Sequence, residues 1–126
     1  MAEPLTHKIL CDIAVRWLRR PFSQLGPDCA IALSEVKSGW AGETPDAIGW
    51  RSKGDEFDGS VVVECKVSRS DFLTDKKKPH RQSGGIGSWR YYMCPEGLIS
   101  LAELPEKWGL LYVNARGHVK VIAGPV

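Results

Sequence analysis

Asp46 and the run Glu64-Cys65-Lys66, which closes the apolar stretch Ser60-Val61-Val62-Val63, offer two carboxylates and an ammonium that one fold could gather. Such a set suits a divalent cation with a lysine beside it, a chemistry that cuts phosphodiester bonds. A hard cation such as magnesium, or manganese in its place, takes oxygen ligands and keeps several waters. Asp46, Glu64 and one main-chain carbonyl, that of Cys65, therefore suffice to hold it. The ion polarises a phosphoryl oxygen and acidifies a bound water, while the Lys66 ammonium orients the nucleophile or offsets charge growing on phosphorus. Burial favours neutral lysine and nearby carboxylates favour the charged form, so the ionisation of Lys66 stays open at this level.

Two short extended runs must position these groups. Pro45 to Arg51 and Ser60 to Val67 read as strands, and the polar stretch Ser52 to Gly59, with two glycines and three acidic residues, reads as the turn between them. An antiparallel hairpin turning near Asp55 and Glu56 pairs residues whose numbers sum to about 110 to 112, which sets Asp46 across from Glu64 or Lys66 on the same face of the sheet. Alternation then puts Glu64 and Lys66 on one face and Cys65 on the other.

The remaining elements follow from periodicity and punctuation. Pro4 to Arg20 carries a helical apolar stripe through Leu5, Ile9, Leu10, Ile13, Trp17 and Leu18, with Pro21 as its stop. Cys29 to Val36 is an extended apolar run. Ser70 to Lys78 reads as a helix opened by Ser68 or Ser70 and ended by Pro79. The glycine-rich loop Ser83 to Ser88 has neither the Lys-Ser/Thr of a phosphate-binding loop nor the spacing of a dinucleotide fingerprint. Trp89 to Cys94 is an aromatic strand, Pro95 to Leu104 a loop with a short helix. Gly109 to Asn114 and Val119 to Ala123 are strands flanking the turn Ala115 to His118. With 126 residues, 43% of them hydrophobic, and no internal repeat, the chain reads as one domain over 1–126. The expected class is α/β, with a mixed, mainly antiparallel sheet flanked by helices.

Thr44-Pro45-Asp46, followed eighteen residues after Asp46 by Glu64-Cys65-Lys66, resembles the core motif of the PD-(D/E)XK nuclease superfamily. The stretch Val63 to Lys77 and the run Tyr91-Tyr92-Met93-Cys94-Pro95 are similar to small MmcB-like DNA-repair members of it. The resemblance implies a restriction-endonuclease-like core in the order αβββαβ, with Asp46 and Glu64 as metal ligands and Lys66 as the catalytic lysine. It further implies a magnesium- or manganese-dependent deoxyribonuclease leaving a 5′-phosphate, acting in DNA repair, recombination or processing of mobile DNA. In that superfamily a glutamate ahead of the aspartate often assists the metal, and Glu35 is the best positional match, with Glu43 a weaker one. Homodimers are common among small nucleases and are the expected assembly. The rival expectation is an inactive nucleic-acid-binding accessory module that keeps the fold.

The net charge of +2 does not mark a nucleic-acid binder, but its distribution is uneven. From Lys66 to Arg81 there are six Lys or Arg against Asp71 and Asp75. A basic segment beside a carboxylate cluster suits a polyanionic substrate, with Arg69, Lys76, Lys77, Lys78 and Arg81, and also His80, as phosphate contacts. A solvated helix face is the plainer reading. Likewise Glu64 and Lys66 are alternatively the polar side of a half-exposed strand, paired with each other or with Asp46 in a surface ion pair. Trp89, Tyr91 and Tyr92 suit base stacking or core packing. The four cysteines are widely spaced without a CxxC pair and the three histidines read as isolated from them, so a zinc site is not expected and the cysteines read as small core residues. No apolar stretch approaches a membrane span, and the expectation is a soluble, cytoplasmic protein.

Overall fold

A computed structural model describes residues 4–34, 45–77 and 88–125. Helix α1 (His7–Leu18) begins where the Thr6 hydroxyl accepts the Ile9 N–H at 3.2 Å, satisfying one of the donors a helix start leaves open. It buries Leu10, Ala14, Trp17 and Leu18 on one face. Six strands follow: β1 (Ile31–Ser34), β2 (Ala47–Arg51), β3 (Gly59–Cys65), β4 (Trp89–Pro95), β5 (Gly109–Val113) and β6 (Val119–Ala123), with helix α2 (Arg69–Asp75) between β3 and β4. The predicted elements are all present, several of them shorter at the ends. The start of α2 is settled in favour of Ser68, whose hydroxyl accepts the Asp71 N–H at 3.2 Å.

The strands lie in sequence order across one open sheet. β1, β2 and β3 pair antiparallel, β3, β4 and β5 pair parallel, and β6 returns antiparallel to β5. The sheet is thus mixed, with three antiparallel pairings to two parallel ones. No helix among the described residues is long and apolar enough to cross a membrane.

The β2–β3 turn shows why the register is fixed. The Asp58 carboxylate accepts the N–H groups of Lys53 and Gly54 at 2.6 and 2.8 Å, and Asp55 accepts that of Phe57 at 2.9 Å. The bonds to Asp58, the one from Lys53 first, hold its carboxyl below the usual range. Asp55 and Asp58 are therefore turn formers. The resulting ladder pairs Ala47 with Val63 and Ile48 with Val62, a register whose residue numbers sum to 110.

Alternation sorts the sheet into two cores. Val61, Val63, Cys65, Met93 and Leu111 face α1, with Leu10, Ala14 and Trp17. Tyr92, Cys94 and Leu110 face the other way and pack with Phe72 of α2, Ile99 and Trp108. On that second face Phe72 meets Tyr92 edge-on with ring centroids 5.1 Å apart, and Tyr92 stacks on Trp108 at 4.5 Å, arrangements that aromatic quadrupoles favour. Burying the polar strand end beneath α2 is what brings the motif residues of β3 against a helix.

Candidate functional site at the end of β3

The last residues of β3 are held from three sides. The Lys66 N–H donates to the Met93 carbonyl at 2.9 Å, extending the parallel ladder one residue beyond the strand. Amide directions alternate along a strand, so the preceding N–H, of Cys65, points toward β2. The β2 ladder has ended at Ala47, and the group would lack a partner. Asp46 supplies one: its Oδ2 accepts the Cys65 N–H at 2.8 Å. The motif aspartate is thereby tied to the peptide that separates Glu64 from Lys66.

Extending the observed register by one residue sets the Asp46 backbone opposite Glu64, as the hairpin geometry predicts. Its carboxylate goes elsewhere. Oδ1 lies 3.1 Å from His7 Nε2 at the start of α1, because Asp46 precedes the strand and pleat alternation no longer fixes its side chain. Cys11, one helical turn beyond His7, places its Sγ 3.8 Å from both ring nitrogens. Glu64 and Lys66 occupy the opposite face, as expected for alternate residues. Glu64 is buried, and Lys66 Nζ lies 3.2 Å from Asp75 Oδ1 of α2. Asp75 Oδ2 accepts the Tyr92 hydroxyl at 2.6 Å. An exposed strand carrying a surface ion pair is therefore not what forms here: both members of the Lys66–Asp75 pair are largely withdrawn from water.

Cys65 turns into the α1 core beside Cys11, as alternation predicts. The neighbouring Cys11 thiol, burial, and the negative charges of Asp46 and Glu64 push the Cys65 thiol well above its usual pKa. Cys65 is thus neither a nucleophile nor a thiolate ligand in this state, and any part it plays at a metal is through its main-chain carbonyl. Burial likewise raises Cys29 and Cys94 to about 11. All four cysteines are free and buried, in keeping with their reading as small core residues.

The hard oxygen donors near the strand end, Asp46, Glu64 and the Cys65 carbonyl, are of the type magnesium takes. Among the described residues, the one group of three metal-ligating side chains is His7, Cys11 and Asp46, and it does not include Glu64. Glu35 and Glu43 lie outside the described residues, as do Lys78, His80, Arg81 and most of the glycine-rich loop.

Of the basic residues, Arg69 is committed to structure. Its guanidinium pairs with both oxygens of Glu103 and donates to the Leu98 carbonyl at 2.7 Å, clamping the β4–β5 connection to α2. The Arg69 pair draws the Glu103 carboxyl down to about 2, helped by the Ser100 N–H. Lys76 donates to the Glu103 carbonyl at 3.3 Å and lies over the Phe72 ring. Lys77 is exposed. Tyr92 is buried and Tyr91 meets Trp17 edge-on at 5.0 Å, so core packing accounts for both. The Arg51 guanidinium covers Trp89, 4.3 Å from the ring centroid.

Three neighbours escape a reading by motif. His7 and Cys11 stand at helical i, i+4 spacing, which puts them on one face of α1; that spacing is the signal that they are not isolated from each other. Asp75 carries a weaker sign, an acidic residue on the apolar phase of α2, three after Phe72.

No family model matches the sequence, and no curated protein matches it. Among solved structures, the SPO1766 protein of unknown function from Silicibacter pomeroyi is similar, with a TM-score of 0.67 and 22% identity over 98% of this chain and 73% of that one. At that identity the likeness is one of fold: the chain shares its architecture with the Silicibacter protein.

Proposed function

We propose that the protein is a metal-dependent deoxyribonuclease of the PD-(D/E)XK type, hydrolysing phosphodiester bonds with magnesium or manganese. The observation that carries this reading is the 2.8 Å bond from the Cys65 N–H to Asp46 Oδ2, which keeps the first motif carboxylate against the peptide between the other two motif residues. Glu64 and the Cys65 carbonyl would hold the cation together with Asp46, whose carboxylate would have to leave His7 and turn to their side, and Glu35 is the proposed third carboxylate. When bound, the cation supplies Lewis acidity toward a phosphoryl oxygen and an acidified water.

The chain's own residues do the rest. Lys66 sets its Nζ opposite the Asp75 carboxylate, 3.2 Å away. That group orients the attacking water and offsets charge on the phosphate in the transition state. Asp75, itself fixed by the Tyr92 hydroxyl, positions Lys66. The burial of Glu64 and the small exposure of Lys66 limit competing water on that face.

A specific observation also favours the accessory-module reading: Lys66, Asp46 and Arg69 each face an opposite partner within the fold, in Asp75, His7 and Glu103. Incubation with labelled single-stranded, duplex and branched DNA in magnesium, manganese or EDTA separates the two. The nuclease reading expects metal-dependent cleavage that Asp46→Ala abolishes and Lys66→Ala lowers by about 10²- to 10³-fold. Cleavage that persists in EDTA or in both variants overturns it. Salt-sensitive binding without cleavage establishes the accessory module instead.

A further inference from the structure

The neighbours of Asp46 on α1 belong to a different coordination chemistry from magnesium. We propose that His7, Cys11 and Asp46 form a binding site for a borderline-soft divalent cation of the zinc type, with a fourth position open to solvent. The inference shares Asp46 with the nuclease reading but does not depend on it.

Geometry is the first support. The ligand atoms of the three residues all lie within 4.8 Å of one another. Asp46 Oδ1 is 3.1 Å from His7 Nε2, and Cys11 Sγ is 3.8 Å from either ring nitrogen. Tetrahedral zinc, with bonds of about 2.0 Å to nitrogen and oxygen and about 2.3 Å to sulfur, separates N from O by about 3.3 Å and N from S by about 3.6 Å. Both separations lie within a few tenths of an ångström of those values; because Sγ is equidistant from the two ring nitrogens, the half-exposed His7 ring must also turn to aim its Nε2 lone pair between Sγ and the Asp46 carboxylate.

Donor chemistry is the second. An imidazole, a thiol and a carboxylate make a set that zinc, cobalt and their neighbours prefer and that magnesium does not. Binding converts the Cys11 thiol to a thiolate, and its proton passes to solvent. The carboxylate is held in place by the bond from the Cys65 N–H to its other oxygen, the kind of outer partner that orients a metal ligand. His7 and Cys11 are set on successive turns by a helix whose start is capped by Thr6.

Access is the third. The Cys11 side is buried, whereas the His7 side chain is 45% exposed, so the cluster sits where α1 meets solvent. Three protein ligands leave zinc an exchangeable position, the arrangement of reactive rather than structural sites.

Cobalt is the probe, because its spectrum reports both geometry and thiolate ligation without any DNA. The full-length protein, stripped with EDTA, is titrated with Co2+ alone. We expect a tetrahedral d–d spectrum with a sulfur-to-cobalt charge-transfer band, bleached by stoichiometric Zn2+. Cys11→Ser should remove the charge-transfer band. His7→Ala alters an exposed side chain and should preserve the thermal melt while weakening binding by at least the roughly 10- to 100-fold that loss of an outer partner costs. A weak octahedral spectrum with no thiolate band, or unchanged affinity in a folded His7→Ala protein, overturns the site and reduces the contact to an ion pair beside a buried thiol. Because the readout is optical, failure here has no bearing on whether the protein cleaves DNA.

Discussion

Lys66 and Asp75 form an ion pair 3.2 Å long between the end of β3 and the last residue of α2, at side-chain exposures of 14% and 3%. Charges so far withdrawn from water are costly to orphan, and Asp75 already spends its second oxygen on the Tyr92 hydroxyl. The pair therefore fixes where α2 sits on the sheet as well as where the Lys66 side chain points.

Asp75→Ala should lower unfolding free energy by about 3–5 kcal/mol, the usual consequence of breaking a buried pair from one side. Urea denaturation measures it. Adding Lys66→Met should recover part of the loss, since an apolar side chain of similar length carries no charge to strand. A loss below about 1 kcal/mol would mean that water reaches the pair freely, as it does at surface bridges.

Acid sensitivity should trace to the clamp between α2 and the β4–β5 connection. The Glu103 carboxyl is held at about 2 against an ordinary 4.5, chiefly by Arg69. The folded state thus favours the carboxylate, so the stabilisation is complete above pH 4.5 and fades as pH falls toward 2. Arg69→Ala removes the largest cause. The gap in Tm between wild type and variant should narrow on acidification across that window, and a gap constant with pH would rule the assignment out.

If the chain binds DNA, Lys77 and Arg69 should contribute unequally. Replacing exposed Lys77 with alanine should reduce the slope of log K against log salt by about 0.9 for each duplex phosphate that its ammonium neutralises. Arg69→Ala should leave the slope nearly unchanged, because its guanidinium is engaged by Glu103 and the Leu98 carbonyl. Filter binding at several salt concentrations decides it, and a larger slope change for Arg69 than for Lys77 would show that the ion pair opens to take phosphate.

The hairpin was legible because its signals were local: an apolar run, a turn rich in Asp and Gly, and a side-chain period that permits one register. The β5–β6 hairpin reads the same way, since Asn114 Oδ1 accepts the N–H groups of Arg116 and His118 and Gly117 takes a positive φ of 81°. Legibility failed where contacts depend on how elements dock. The Asp46 side chain follows a strand rule only inside a strand, and one residue outside it obeyed the open Cys65 N–H instead. Asp75 became the partner of Lys66 only through the packing of Phe72 on Tyr92, a contact between α2 and β4 with no local signature. His7 and Cys11 had the right spacing, but nothing along the chain says that their face of α1 meets Asp46.

The tripeptide Glu64-Cys65-Lys66 divides its labour by parity. Lys66 answers to α2 and Glu64 is buried on the same side, while the middle side chain answers to α1 and the Asp46 carboxylate takes the amide between. The constraint on position 65 is thus one of volume and fit beneath a helix, set by Cys11 rather than by any substrate. A substitution at position 65 is felt first in the packing of α1, while the side chains at 64 and 66 keep their places on the other face of the strand.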